Sequence, residues 1–127
     1  MRVLCIGDVV GKPGRRALAA LLPALIEREG IDVVIANAEN ASGGLGLTRG
    51  TAREMLSELP VDALTGGNHI WRYRDVYELL DQEPRLFRPL NYPEPAPGRG
   101  LGMVHGAGGQ AVGLVTLMGR TFMDPNP

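Results

Sequence analysis

The sequence has few cysteines, few aromatic residues and almost no net charge. Its single cysteine, Cys5, excludes a disulfide framework and a cysteine-based zinc site, and is typical of a reducing compartment. With 13 basic and 14 acidic side chains the net charge is −1, which argues against non-specific nucleic-acid binding. No apolar run approaches the roughly 20 residues of a membrane span. We therefore expect a soluble, cytoplasmic protein without a membrane partner, in which Cys5 is a buried, unreactive thiol.

Alternating strand and helix patterns fill the first half of the 127 residues. Apolar runs at 3–6, 33–36 and 61–64 predict strands. The first two runs are continuous rather than alternating, as expected for strands buried on both faces of a parallel sheet. Amphipathic stretches at 15–28 and from Thr51 predict helices, the second opened by a capping box of Thr51 and Glu54. This order predicts an α/β fold with right-handed crossovers.

The second half has a different character. A short helix is predicted over 75–81, and the five prolines from Pro84 to Pro97 predict an irregular segment. Two apolar stretches, 101–105 and 111–118, flank a glycine-rich turn and predict a β-hairpin. Length and pattern together favour one domain.

A polar cluster follows each of the first three predicted strands. Asp8 follows the first, Glu39 and Asn40 follow the second, and Asn68 and His69 follow the third. The clusters are about 30 residues apart, the length of one strand–helix–strand unit, so they are expected at the same edge of the sheet. The carboxyl ends of strands in open α/β sheets are where such proteins bind ligands.

The residue types in these clusters favour a metal site. Carboxylate and amide oxygens are hard donors suited to Mg, Mn or Fe, and His69 adds an imidazole donor or acid. Neighbouring strands lie ~4.8 Å apart and paired catalytic ions ~3.5–4 Å apart, so adjacent strand ends could share two cations. Taken singly, Asp8 also fits a helix cap or turn, and Glu39 a solvated loop. The coincidence of three clusters favours the functional interpretation.

Several blocks agree in order and spacing with a known family. They lie at 6–15, 36–41, 67–71 and 117–120, and include Gly-Asp at 7–8 and Gly-Asn-His at 67–69. Over essentially its whole length the sequence resembles the YmdB-like phosphodiesterase branch of the calcineurin-like metallophosphoesterase superfamily. The resemblance implies a layered α/β sandwich, of which this chain supplies the N-terminal part of the sheet and its flanking helices.

The same resemblance implies an activity and a site. Asp8, Glu39, Asn40 and Asn68 would be ligands of two divalent or trivalent ions (Fe, Mn or Mg), with Glu39 as the bridge. His69 would be the general acid for the leaving oxygen. The expected substrate is a small phosphodiester such as a cyclic nucleotide, attacked by a hydroxide that the metal pair activates.

Two departures from the family pattern qualify this expectation. The wider superfamily has Asp-x-His after the first strand, whereas Val10 stands at that histidine's position here. The family's remaining ligands are histidines in a second half that would follow Asp124. We therefore expect residues 1–127 to be the N-terminal portion of a single metallophosphoesterase domain, without the C-terminal ligands and inactive alone; a homo-oligomer is possible.

Two other function classes stay open. One is a non-catalytic nucleotide- or phosphate-binding module that uses the helix N-terminus near Gly14, and its ligand binding would survive a chelator. The other is an inactive fragment that works only with its missing half, in which case metal binding would return when that half is added.

Overall fold

The structure, a computed structural model, describes residues 1–119 and residue 121. Its regular elements are β1 (Val3–Ile6), α1 (Gly11–Glu29), β2 (Val33–Asn37), α2 (Arg49–Glu58), β3 (Ala63–Thr65), two 3-10 helices (Asn68–Arg72 and Arg74–Val76), α3 (Tyr77–Gln82), β4 (Leu86–Phe87), β5 (Leu101–His105) and β6 (Ala111–Val115). Among these helices, none combines the length and the apolar character that crossing a membrane requires. Arg120, in the fourth family block, lies outside the described residues.

Strands β1 to β4 form one parallel sheet in the order of the chain. Ile6 pairs with Ala36, and Asn37 pairs with Thr65, so the three strands end nearly level. Strands β5 and β6 form a separate antiparallel hairpin, as predicted. The predicted α/β class is confirmed, and the polar clusters leave the sheet at one edge.

The two faces of the sheet are covered by different elements. On one face, sheet residues such as Val34 and Leu64 join a core with Leu22 of α1, Met55 of α2 and Leu80 of α3. On the other face, the hairpin packs on the sheet and forms a second core with it. This core contains Val104 of the hairpin and the sheet residues Val33, Ile35, Ala63 and Phe87. Strand β2 is therefore buried on both faces, as its continuous apolar run predicts.

Strand β1 does not follow the same prediction. Val3 and Cys5 are exposed, so the expectations of a strand buried on both faces and of a buried thiol are both wrong. The cause is position: β1 is the edge strand, and the second core is built from residues of β2, β3 and β4, leaving this side of β1 open. A continuous apolar run does not tell an edge strand from a central one.

Element boundaries show where local signals were misinterpreted. Helix α2 begins at Arg49 rather than Thr51, because the Thr48 side chain accepts the Thr51 N–H and is the N-cap. The predicted capping box of Thr51 and Glu54 is therefore wrong. The segment after Pro84, predicted to be irregular, holds the two-residue strand β4, which pairs with β3 at the end of the sheet.

The proline-rich segment 89–97 is held by one buried cation. Arg88 is 7% exposed, and its guanidinium donates to four main-chain carbonyl oxygens, those of Pro89, Leu90, Ala96 and Pro97. These carbonyls belong to both ends of the segment, so one side chain closes it. Charge-assisted bonds of this kind offset part of the cost of burying the guanidinium.

We predict that Arg88→Met lowers the free energy of unfolding by about 1–3 kcal/mol, because the partly buried carbonyl groups of Leu90, Ala96 and Pro97 lose the donor that the guanidinium supplies. Urea denaturation measures the change. Arg99→Met is the matched control, since Arg99 is exposed and its side chain makes no hydrogen bond to another described residue. Equal stability of both variants would contradict a structural role for the Arg88 bonds.

Candidate active site

Main-chain hydrogen bonds tie together the three segments that follow the strands. Val9 N donates to Asn37 O at 3.0 Å, and Ala38 N donates to Thr65 O at 2.8 Å. Gly11 N donates to Asn40 O at 2.9 Å. The parallel pairing thus continues beyond the strands into the polar clusters. The side chains of these clusters are therefore spaced like residues on neighbouring strands.

A side-chain hydrogen-bond chain joins all three segments. Asn40 Nδ2 donates to Asp8 Oδ2 at 2.7 Å, and Asn40 Oδ1 lies 2.7 Å from His69 Nδ1. The neutral or protonated imidazole therefore carries a proton on Nδ1 in this arrangement, because an amide oxygen only accepts. Asn40 links a carboxylate from the β1 segment to an imidazole from the β3 segment.

Glu39 is held from two sides. Its Oε1 accepts from Asn37 Nδ2 at 3.3 Å, and its Oε2 accepts from the main-chain N–H of His69 at 3.1 Å. Asn37 Oδ1 in turn accepts from Glu39 N at 3.1 Å. The carboxylate is 17% exposed, and its Oε2 lies 3.9 Å from His69 Nδ1. Glu39 is thus more enclosed than Asp8 and Asn68, which are exposed, and is fixed in orientation.

A cavity of about 390 Å³ opens beside Glu39. Asn68, the fourth predicted ligand, is exposed and lines this cavity. The far wall comes from the chain after β6, residues 116–119, and Thr121 also contributes. Asp8 and His69 are not in its lining, so the cavity reaches the predicted site from the Glu39 and Asn68 side.

The charges of the site favour a cation. Among the described residues, neither Asp8 nor Glu39 pairs with a lysine or arginine, and the one basic group near Glu39 is His69. Two carboxylates at one edge without such partners repel each other, and a bound cation would relieve the repulsion. Within residues 1–119 and 121 no three His, Cys, Asp or Glu side chains form a metal-holding group. The oxygen atoms at this site are therefore sufficient for a hard cation only if the asparagine side-chain oxygens also act as ligands.

Two contributors were not assigned by the sequence. Asn37 contacts Glu39 through both the nitrogen and the oxygen of its side-chain amide. The sequence could have indicated this contact, because residues i and i+2 at a strand end share a face. The wall after β6 overlaps the family block at 117–120, but nothing in the local pattern says that this segment faces the cavity. The glycines at 66 and 67 also have a specific role.

Gly67 makes room for the Glu39 side chain. A Cβ at position 67 would lie 2.5 Å from Glu39 Oε1, far inside van der Waals contact. At Gly66 a Cβ would lie 2.3 Å from Ile70 Cδ1. The paired glycines therefore let the segment after β3 approach both Glu39 and the core.

We predict that Gly66→Ala lowers the free energy of unfolding by about 1–3 kcal/mol, the usual cost of overpacking, because its Cβ would lie 2.3 Å from Cδ1 and 2.9 Å from Cβ of the buried Ile70. Thermal unfolding measures it. Gly50→Ala, in α2 with no heavy atom within 4 Å of the new Cβ, should be neutral or stabilising. Wild-type stability of Gly66→Ala would mean that the segment after β3 does not depend on this close approach to the core.

Comparisons with known proteins agree with this architecture. In sequence, the chain is 40% identical over 125 residues to the 2',3'-cyclic-nucleotide 2'-phosphodiesterase of Bacillus subtilis (strain 168). The match covers 98% of this chain and 47% of that relative, so the chain spans about half the relative's length.

Solved structures extend the likeness to the fold. A hypothetical protein from Thermus thermophilus superposes with a TM-score of 0.86 at 47% identity, covering 98% of this chain and 48% of the other. A novel phosphatase from Mycoplasma pneumoniae superposes with a TM-score of 0.85 at 29% identity, covering 98% and 45%. The family model described as YmdB-like protein matches residues 4–127. The chain therefore belongs to the YmdB-like protein family.

Proposed function

We propose that this chain carries the metal site of a phosphodiesterase that hydrolyses small phosphodiesters such as 2',3'-cyclic nucleotides. The names of its relatives, a cyclic-nucleotide phosphodiesterase and a phosphatase, support phosphoester chemistry. The observation that carries the proposal is that Asp8, Asn40, Glu39 and His69, from three strand ends, form one hydrogen-bonded group. Nothing in that group neutralises its two carboxylates except an imidazole, among the residues described.

Asp8, Glu39, Asn40 and Asn68 would hold two divalent or trivalent ions, of Fe, Mn or Mg, with Glu39 between them. When bound, such a pair supplies Lewis acidity, polarising a phosphoryl oxygen and lowering the pKa of water toward neutrality. The chain's own contribution is orientation: Asn37 and the His69 main chain hold the Glu39 carboxylate in one position. A preset carboxylate loses little conformational freedom on binding, which favours tight ligation.

His69 is proposed as the acid that protonates the leaving oxygen. Its Nδ1 is engaged by Asn40 Oδ1, which leaves Nε2 as the nitrogen that can deliver a proton. The side chain is 40% exposed, so a substrate in the site can reach the ring. Asp8, acting through Asn40, favours the Nδ1–H form and holds the ring plane.

We predict that Glu39→Gln weakens Mn²⁺ binding at least about tenfold, because it removes one of two carboxylate charges at the site. Isothermal titration calorimetry with Mn²⁺ measures this without needing turnover. Glu58→Gln is the matched control, since Glu58 is exposed on α2 and lies outside the site. Unchanged Mn²⁺ affinity in Glu39→Gln would refute the assignment.

Because residues 1–127 are expected to be inactive alone, turnover is tested in the intact protein. For His69→Gln we expect wild-type Mn²⁺ affinity but hydrolysis of 2',3'-cyclic AMP slower by about 10²–10⁴-fold, the value of a positioned acid. The loss should be much smaller for bis(p-nitrophenyl) phosphate, whose phenolate leaves without a proton. Steady-state rates on the two substrates give the comparison. An equal loss on both would show that His69 does not act as the acid.

A further inference from the structure

A second concave surface lies next to the candidate site. It is lined by Trp71, Tyr92, Ala96 and three prolines, Pro93, Pro95 and Pro97, and has a volume of about 330 Å³. Its walls are apolar, in contrast to the carboxylates and amides around Glu39. We call these six residues the aromatic cleft.

The aromatic cleft and the cavity beside Glu39 have no lining residue in common, but residues of the two linings adjoin at two points. Asn68 lines the cavity, and Trp71 follows it by three residues in the same 3-10 helix, where side chains three apart lie on one face about 6 Å apart. Tyr92 Oη lies 3.7 Å from Met118 Sδ, and Met118 also lines the cavity. The Trp71 and Tyr92 rings contact each other edge to face, with 5.0 Å between their centroids, and so connect these two points.

The cleft is held in shape before any ligand arrives. Tyr77 meets the Trp71 ring edge to face at 5.8 Å between centroids, and its hydroxyl donates to Trp71 O at 3.0 Å. Arg88 closes the segment that carries Tyr92 and the prolines through its four carbonyl acceptors. Asn91 adds a two-way link to the Met118 main chain at 2.8 and 3.0 Å. A preformed apolar surface loses little entropy on binding a flat ring.

We propose that the aromatic cleft binds the nucleobase of a nucleotide substrate whose phosphodiester lies in the cavity beside Glu39. This deepens the proposed function and rests on it. Aromatic rings and prolines provide a stacking surface, and stacking is tolerant of base identity because every base has a π-face. A proline-rich peptide would also fit the apolar walls, but it would leave the adjoining carboxylate cavity without a role. The continuity of the two surfaces favours a ligand with a flat ring at one end and a phosphate at the other.

Trp71 is the single tryptophan of the sequence, so its fluorescence reports on the cleft alone. We expect adenosine, which has no phosphate, to quench this fluorescence saturably, while ribose, which has no base, does not. Neither ligand requires a metal or turnover. Absence of saturable quenching by adenosine would overturn the inference, as would quenching by a proline-rich peptide in its place.

Substitutions locate the effect. Tyr92→Leu should weaken adenosine binding about 5- to 150-fold, the range for loss of one stacking ring. Tyr92→Phe keeps the ring and should retain wild-type affinity, which separates stacking from misfolding. Tyr73→Leu, an exposed tyrosine outside the cleft, is the matched control and should leave binding unchanged. Wild-type affinity in Tyr92→Leu would exclude the cleft as the base site.

The outcomes for the two proposals are distinguishable. If adenosine quenches the fluorescence, Tyr92→Leu abolishes the quenching, and the intact protein hydrolyses no phosphodiester, then the proposed function is refuted and the base-binding site is supported. If the intact protein hydrolyses 2',3'-cyclic AMP but adenosine does not quench the fluorescence, then the base site is refuted and the phosphodiesterase function is supported.

Discussion

The parallel pairing of β1, β2 and β3, carried past the ends of the strands, is the constraint on which the site depends. Val9 N donates to Asn37 O and Ala38 N donates to Thr65 O, with both donors beyond the ends of their own strands, so the polar segments remain in register. Carboxylate, amide and imidazole groups that are about 30 residues apart in sequence therefore come within hydrogen-bond distance. Loss of that register by one residue would turn each side chain to the opposite face.

Electrostatics and packing act on this group in opposite directions. The two acidic side chains, Asp8 and Glu39, repel each other, while Asn40 and the His69 main chain hold them in place with neutral donors. The two carboxylates are thus fixed in position, and neither pairs with a lysine or arginine among the described residues. The narrow approach at Gly67 adds to this, because any side chain there would push Glu39 out of position.

The sequence predicted the alternation of strands and helices along the chain, the hairpin and the meeting of the three polar clusters, since these follow from apolar runs and from a repeated spacing. It failed where the outcome depended on distant partners. Cys5 is exposed because the hairpin packs on β2, β3 and β4 and leaves β1 uncovered. Strand β4 forms because Leu86 and Phe87 pair with β3. The helix cap at Thr48 was missed because Thr51 offered a competing pattern of equal local quality. The roles of Asp8, Glu39, Asn40, Asn68 and His69 toward a metal or substrate stay predictions.

The open face of β1 gives the molecule one further property. Its sole thiol, Cys5, is accessible, and its sole indole, Trp71, belongs to the cluster of rings with Tyr77 and Tyr92. A dye attached by maleimide chemistry at Cys5 would thus be a unique energy-transfer acceptor for the indole. The distance between the sheet edge and the ring cluster can therefore be measured by energy transfer without introducing a cysteine.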